Sequence, residues 1–432
     1  MNPVSAFKQR IGTIKSEDIL YLFLLFLPCA WIQDKTVQMV INLAVMLLIA
    51  VVDRKIYIDR AVYPVLCYAA IHLFSIGYNT FFAGETPDTT RVIAALNTAV
   101  VWILGSLVYS SVVHMKLDHR TILKNMGFLY AVIILLSILS LVTRYTETKM
   151  IINGRNLNNT YSDNGTEIRS FCWMEYANLI PFILLCLVPY VYVSIREGRP
   201  VIRIFAVTVS LLPVLLSRSR LGIVLLLVLI VGMTIVQCWK HKGLKVLLLS
   251  IIAVAAIYVL LNFGSVTNKA ESMIDSFLYG RGTSNTTRRV LYTLTWEKIK
   301  ETSLLFGAGI KHITSLPNIP LGSHSTYLGA IYKAGFIGAA FLFFFFTAIT
   351  KEIFKMAKTK KIDIFFLLSL LELFGLMILE DLDGANWMHL FFFIHLGIVM
   401  NLGKAGESLY HASIDYNAAI LSPRRCNKQC SA

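Results

Sequence analysis

The sequence predicts an all-α, polytopic integral membrane protein of about 12 transmembrane helices, with a large outer loop between spans 9 and 10. Three observations carry this. Of 432 residues, 56% are hydrophobic and 15% charged, with a mean hydropathy of +0.66, whereas soluble domains are nearer a quarter charged. The apolar residues are strung into twelve runs, each near the roughly 20 residues a helix needs to cross a bilayer. The basic residues between those runs alternate sides. A soluble enzyme, a secreted disulfide scaffold and a β-barrel are thereby excluded.

Taken in order and bounded by charge, the spans fall near residues 19–32, 36–52, 61–78, 92–113, 126–143, 176–195, 201–217, 221–239, 246–263, 326–350, 364–379 and 387–402. The first is the shortest. Residues 1–18 carry Lys8, Arg10 and Lys15, and no cleavage-type sequence follows, so the first span reads as an anchor and not a removed signal peptide. The two halves show no internal repeat.

With both termini inside, 24 of the 40 Lys and Arg lie on the inner side and 15 on the outer, with Lys333 inside a span. Eleven of the outer charges sit in two long loops, so the short loops obey the positive-inside rule. Most of the +15 net charge is thus a topology signal and gives no indication of nucleic acid. The expected organisation is spans 1 to 9 over residues 1–263 with an outer loop at 144–175, then a partly helical outer (periplasmic) loop at 264–325. Spans 10 to 12 follow over 326–402, and a cytoplasmic tail at 403–432. Inner connections are short, so any chemistry faces outward.

Within the 62-residue loop, residues 266–278 fit an amphipathic helix lying on the membrane, with Lys269, Glu271 and Asp275 on its wet side. A second helix is expected to begin at Thr286 or Thr287, capped by the hydroxyl, and to run through Arg288, Arg289, Tyr292 and Trp296 towards Glu301. The seven cysteines (Cys29, Cys67, Cys172, Cys186, Cys238, Cys426 and Cys430) have no metal-type spacing and read as structural or incidental.

Three features carry chemistry. Ser217-Arg218-Ser219-Arg220 is squeezed between spans 7 and 8 on the outer side, where the topology rule disfavours cations. Two planar guanidinium forks there suit a phosphate or pyrophosphate, against the plainer reading of snorkelling anchors. Arg288-Arg289 opens the loop helix, whose N-terminus would add backbone donors for an anion, and one of the two is expected to point inward. His324, immediately before span 10, suits a general base taking a proton from a sugar hydroxyl, although a lone histidine at a span end is more often a hydrogen-bonded cap. Arg169, Glu175 and Asp381 are candidate sugar contacts, and Asp381 with Asp383 could clamp an arginine or hold sugar hydroxyls. Glu380 lies beside them. Tyr161, Trp173, Trp296 and Trp387 are placed to stack on sugars, but equally fit an interfacial aromatic belt.

Taken together, Leu215-Leu216-Ser217-Arg218-Ser219-Arg220-Leu221-Gly222, Arg288 with Tyr292, and Leu305-Phe306-Gly307-Ala308-Gly309 are followed by His324-Ser325-Thr326-Tyr327-Leu328 and Gly335-Phe336-Ile337-Gly338. In order and spacing over about residues 200–350, this set resembles the O-antigen ligase and Wzy-type polysaccharide polymerase superfamily. The resemblance implies a membrane glycosyltransferase that needs no metal or other cofactor. Such an enzyme takes a glycan from undecaprenyl pyrophosphate on the outer face of the bacterial cytoplasmic (inner) membrane and joins it to an acceptor glycolipid. By position, Arg220 and Arg288 would hold the donor pyrophosphate and His324 would activate the acceptor hydroxyl. Arg218 and Arg289, without assured counterparts, would substitute for them or support them. Direct displacement would invert the anomeric centre, and fixed arginines would stabilise the departing pyrophosphate more in the transition state than in the ground state.

Two readings compete inside the superfamily. A polymerase transfers the growing chain onto a new lipid-linked repeat unit, with a chain-length regulator as a further partner, and a ligase transfers the finished chain onto lipid A-core. His-Ser-Thr-Tyr-Leu and the acidic Leu379-Glu380-Asp381-Leu382-Asp383-Gly384 resemble the polymerases of O-antigen, capsular and exopolysaccharide units more closely. A transporter or lipid-linked oligosaccharide flippase is the reading from another class. It would place ionisable groups near the bilayer midplane and repeat its halves, whereas here the spans are mostly clean apolar runs.

Overall fold

The computed structural model describes residues 15–82, 88–146, 148–160, 168–195, 199–261, 282–313 and 320–404. The amphipathic segment expected at 266–278, Tyr161, Cys426, Cys430 and the tail beyond residue 404 lie outside the described residues. The helices are α1 (Ser16–Trp31), α2 (Lys35–Asp53), α3 (Tyr63–Phe81), α4 (Thr89–His114), α5 (His119–Tyr145), α6 (Leu179–Ser194), α7 (Pro200–Thr208) and α8 (Leu211–Ser217). They continue with α9 (Arg220–Lys240), α10 (Lys242–Leu261), α11 (Gly282–Thr302), α12 (Thr326–Lys358), α13 (Ile364–Leu376) and α14 (Asn386–Lys404).

Every apolar run of the sequence is helical, and the starts are set by local chemistry. Asp34, Asp88, Asp118 and Asp363 each precede a helix and accept one or two of its first backbone N–H groups, donors that no carbonyl inside the helix can reach. Among the described residues, eight spans, including α2, α4, α5, α9, α12 and α14, are long and apolar enough to cross a membrane. The apolar helices α6 and α13 are shorter, at 16 and 13 residues. The chain is an all-α, multi-pass membrane protein. Its outward-facing side chains include Phe26, Val40, Leu135, Phe205 and Phe343, all exposed, the composition of a surface that meets lipid tails.

The run at 201–217 is helical in two pieces. Pro213 has no N–H to offer the carbonyl of Val209, and its ring crowds that carbonyl. The hydroxyl of Ser210 bonds back to Val207 instead, and α8 starts afresh at Leu211. Helix α14 is the hub, buried along its whole length against α4, with further contacts to α2, α6 and α12. Asn401 of α14 donates to the carbonyls of Val112 and Met115, which close α4.

Between α5 and α6 the chain forms two small antiparallel pairs, β1 (Ile151–Ile152) with β2 (Arg155–Asn156), and β3 (Asn158–Thr160) with β4 (Ile168–Ser170). The β1–β2 turn is Asn153-Gly154, both at positive φ, the arrangement a two-residue hairpin demands. This segment, the α8–α9 turn, α11 with the loop after it, and residues 377–385 gather at one end of the bundle. Arg155 bonds the carbonyls of Ile32 and Gln33 there, and Thr326 bonds that of Glu380.

Candidate functional site

The α8–α9 turn is the first wall of the site. Arg218 takes a left-handed conformation (φ 55°), ending α8, and Arg220 is the first residue of α9. Two other arginines hold the turn by its carbonyls. Arg144 at the end of α5 donates to Leu216 at 3.0 Å, and Arg169 of β4 donates to Ser217 at 2.8 Å. Gly222 lets the first turn of α9 lie on α6, because a Cβ there would meet Pro181 at 2.4 Å. The word Ser-Arg-Ser-Arg-Leu-Gly is therefore a fastened hairpin between helices, with Arg218 and Arg220 on its turn.

The second wall is α11. Arg288 is paired with Glu380 at 3.1 Å, and Arg289 beside it is exposed. One of the two thus points inward, as the sequence reading expects. The helix begins at Gly282, not at Thr286 or Thr287. Thr283, Ser284, Asn285, Thr286 and Thr287 are all residues of capping type, so the sequence offers several starts. The earlier start places Arg288 in the second turn, away from the first-turn backbone donors, so the helix N-terminus does not add an anion site beside it.

Glu380 links the walls. It accepts from Asn178, just before α6, and Asn178 in turn accepts from Arg169 at 3.2 Å. Burial pushes the Glu380 carboxyl up to about 7, against the opposing pull of Arg288, Asn178 and Arg169.

His324 sits where these elements meet. Its backbone is left-handed (φ 63°), a conformation that costs a non-glycine residue free energy and persists only when the surroundings enforce it. The surroundings are specific. The Tyr292 hydroxyl donates to the His324 carbonyl at 2.7 Å, and the Ser325 side chain caps α12 at Leu328. Thr326 donates through N and Oγ1 to the Glu380 carbonyl, and its hydroxyl accepts from Leu382 N. Burial, then the charges of Arg288 and Lys311, hold the imidazole down at about 4, so it is neutral at pH 7. No described residue hydrogen-bonds the ring.

The acidic stretch binds lysines. Asp381 accepts from Lys311 at 2.8 Å, and Asp383 accepts from the buried Lys333 of α12 and from Trp102 at 3.0 Å. The arginine bound at this stretch is instead held by Glu380. Burial and the neighbouring Asp383 push Asp381 up, whereas for Asp383 burial is outweighed by Lys333 and Lys311, which hold it well below the carboxylate range. Of the candidate sugar contacts, Glu175 has both oxygens engaged by Gln38, Arg155 and Trp387, Arg169 serves the turn and Asn178, and Asp381 holds Lys311. Trp387 is fully buried against Trp31, because it starts the hub helix, and is neither a sugar platform nor a belt residue. Trp173 donates to Met150, and Trp296 packs on Phe336.

The glycine words are crossing points. At Gly335 α12 breaks (φ 63°, ψ −171°), and a Cβ there would lie 2.0 Å from the Leu305 carbonyl oxygen. The loop carrying Leu305 to Gly309 threads this break. It accepts from Phe336 and Ile337, donates from Ala308 to Tyr332, and is tied to α3 by Ser75 and His72. The crossing places Lys311, two residues on from Gly309, beside Asp381. Sequence reasoning passed over Lys311, Asn178 and Arg144. Asn178 was findable as a capping-type residue before an apolar run, although its side chain turns to Glu380 and makes no cap. Lys311 carries no local signal.

Fold and site together define a multi-pass membrane protein with a cationic, partly buried site at one end of the bundle and a neutral histidine within it. Residues 205–343, about a third of the chain, match the model of the family described as O-Antigen ligase. That third of the chain is thus similar to the O-antigen ligase family, in agreement with the resemblance of its sequence words. The matched segment contains the α8–α9 turn, Arg288, His324 and Gly335, and stops short of Glu380. No curated protein matches the chain.

Proposed function

We propose that this protein is an inverting glycosyltransferase that polymerises undecaprenyl-pyrophosphate-linked oligosaccharide repeat units on the outer face of the bacterial cytoplasmic membrane, with both termini in the cytoplasm. The observation that carries this reading is the joining of Arg288, His324 and the Arg218–Arg220 turn through Arg169, Asn178 and Glu380. In the proposed step an acceptor hydroxyl attacks the anomeric carbon and gives its proton to His324. The bond from that carbon to the pyrophosphate oxygen breaks, and the electron pair leaves with the pyrophosphate. Arg220 and Arg288 receive the growing charge, with Arg218 and Arg289 in support.

A basicity near 4 makes His324 a weak base while no anion faces it. A bound pyrophosphate offsets the same cations that depress it, so donor binding itself raises the basicity of the ring towards the range where proton transfer is efficient. The order of events follows: donor first, then acceptor activation. Arg169, Glu175 and Asp381 stay candidate sugar contacts only where substrate displaces a protein partner.

Ligation of a finished chain to lipid A-core is the second reading, supported by the match to the O-antigen ligase family. Cells lacking the protein separate the two. A single repeat unit on the acceptor, not extended by His324→Ala or Arg220→Ala variants that reach the membrane, supports polymerisation. Long chains stranded on undecaprenyl pyrophosphate indicate ligation. Full complementation by both variants rejects the catalytic assignment and restores the flippase or transporter reading.

A further inference from the structure

At the end of the bundle opposite the site, α12 and α13 splay apart. Phe343, Thr347, Lys351 and Phe354 follow one another along a single face of α12, at the three- and four-residue spacing that stacks side chains. Leu367 and Leu371 face them from α13, and the open groove between has a volume of about 550 Å³. The ring pair Phe346–Phe374, with centroids 4.8 Å apart, also lines it. Tyr327 fastens the helices above this, donating to the Phe374 carbonyl at 3.1 Å. Phe343, Phe354 and Leu371 are all exposed.

The mouth of the groove is cationic. Lys351, Lys355, Lys358, Lys360 and Lys361 are exposed there, with Glu352 the one acidic side chain exposed among them, and Asp363 is buried in capping α13. Lys351 lies on α12 beyond the Gly335 break, towards the end of the helix remote from Thr326. A ligand headed at Lys351 therefore belongs to the leaflet remote from the candidate site. An apolar slot of acyl-chain dimensions under a cluster of lysines has the chemistry of one class of ligand, since lysines near a membrane surface each attract anionic headgroups by about 1 kcal/mol.

We propose that the α12–α13 groove is a binding site for an anionic glycerophospholipid, with an acyl chain between Phe343 and Leu371 and the phosphate at Lys351 and Lys355. The occupant is distinct from the polyprenyl donor. Because it packs on the helix that presents His324, the lipid holds the spacing of α12 and α13 below the Phe346–Phe374 contact.

The test is lipid retention by the full-length protein in detergent, read by native mass spectrometry after equal additions of phosphatidylglycerol and phosphatidylcholine with identical acyl chains. Phosphatidylglycerol is expected to be retained in preference. Lys351→Gln and Lys355→Gln should each lower that preference about fivefold, the equivalent of the interaction per lysine. Thr347→Trp, which fills the slot from an exposed position, should lower retention of both lipids. Equal retention of the two lipids by the unmodified protein overturns the proposal without recourse to a variant. So does a preference that survives both lysine substitutions, or displacement of phosphatidylglycerol by undecaprenyl phosphate. None of these readouts depends on glycan transfer, so the proposal stands or falls separately from the catalytic reading.

Discussion

Tyr292 donates from its hydroxyl to the main-chain carbonyl of His324 at 2.7 Å, and it sits one helical turn beyond Arg288 on α11. One helix therefore fixes both Arg288, the proposed anion ligand, and the strained turn that carries His324, the proposed base. Replacing Tyr292 by Phe removes only this bond, whose loss costs about 1 kcal/mol. The expected result is a turnover about fivefold lower with donor affinity nearly unchanged, measured with purified lipid-linked substrate. An equal loss of affinity would show that Tyr292 serves binding and not the placement of His324.

Glu380 sets a pH dependence on Arg288. Its folded value of about 7 lies above the ordinary carboxyl range. As a raised acid it contributes stability below that ordinary range, and this contribution is lost as pH rises to 7. Its ionised form, the partner of Arg288, prevails above 7. Lowering the pH from 8 to 6 therefore releases Arg288 for a diphosphate, and binding of inorganic pyrophosphate should tighten beyond the change intrinsic to the ligand. Glu380→Gln should bind more tightly at pH 8 and lose the extra pH dependence. Identical calorimetric profiles for the two proteins would remove Glu380 from the anion site.

His324 should respond to charge in both directions. Lys311→Gln removes one of the cations that depress it, so the ring should titrate higher than about 4 without added ligand. Added pyrophosphate should raise it further in the unmodified protein. Carbon-13 labelling of the imidazole reads both changes by NMR. A ring whose titration ignores pyrophosphate is remote from the anion, which is incompatible with its role as the base.

Much of the fold was legible because it rests on local rules. The apolar runs gave the helices, the aspartates their starts, and Pro213 before Leu215 contained the break at α7–α8. Asn153-Gly154 announced a hairpin that the all-α reading passed over. The site was legible to the extent that Arg218 and Arg220 stand against the topology rule and that Arg288 opens a helix expected in the long outer loop. What fastens them was not, since Asn178–Glu380 and Arg155–Glu175 join positions 202 and 20 residues apart by sequence, and no periodicity records such a pairing. The left-handed φ of His324 was equally hidden, because histidine carries no signal for it as glycine does.

Gly335 is the least replaceable residue of the loop crossing. Its backbone falls in a region essentially reserved for glycine, costing other residues on the order of 1–3 kcal/mol, and the added Cβ would collide with backbone, which cannot swing aside as a side chain would. Gly335→Ala should abolish a monodisperse peak in size-exclusion chromatography or lower the unfolding temperature sharply. Gly77→Ala, where a Cβ meets nothing within 4 Å, should be tolerated. Equal behaviour of the two would mean that the α12 break is not needed for folding.

The Lys333–Asp383 pair tests whether charge inside the bundle serves shape or function. Both side chains are almost fully buried, and Trp102 donates to the same carboxylate oxygen of Asp383. Removing one member of a buried pair leaves the other uncompensated, at a cost of about 3–5 kcal/mol, whereas removing both is often far less damaging. Lys333→Met alone should therefore destabilise the protein more than Lys333→Met combined with Asp383→Asn, which keeps an acceptor for Trp102. Thermal unfolding in detergent gives the comparison. If the double variant regains stability and glycan transfer, the pair is a strut that holds the acidic stretch to α12. If stability returns without transfer, the charges act on the site through Asp381 and Lys311, and the strut reading fails.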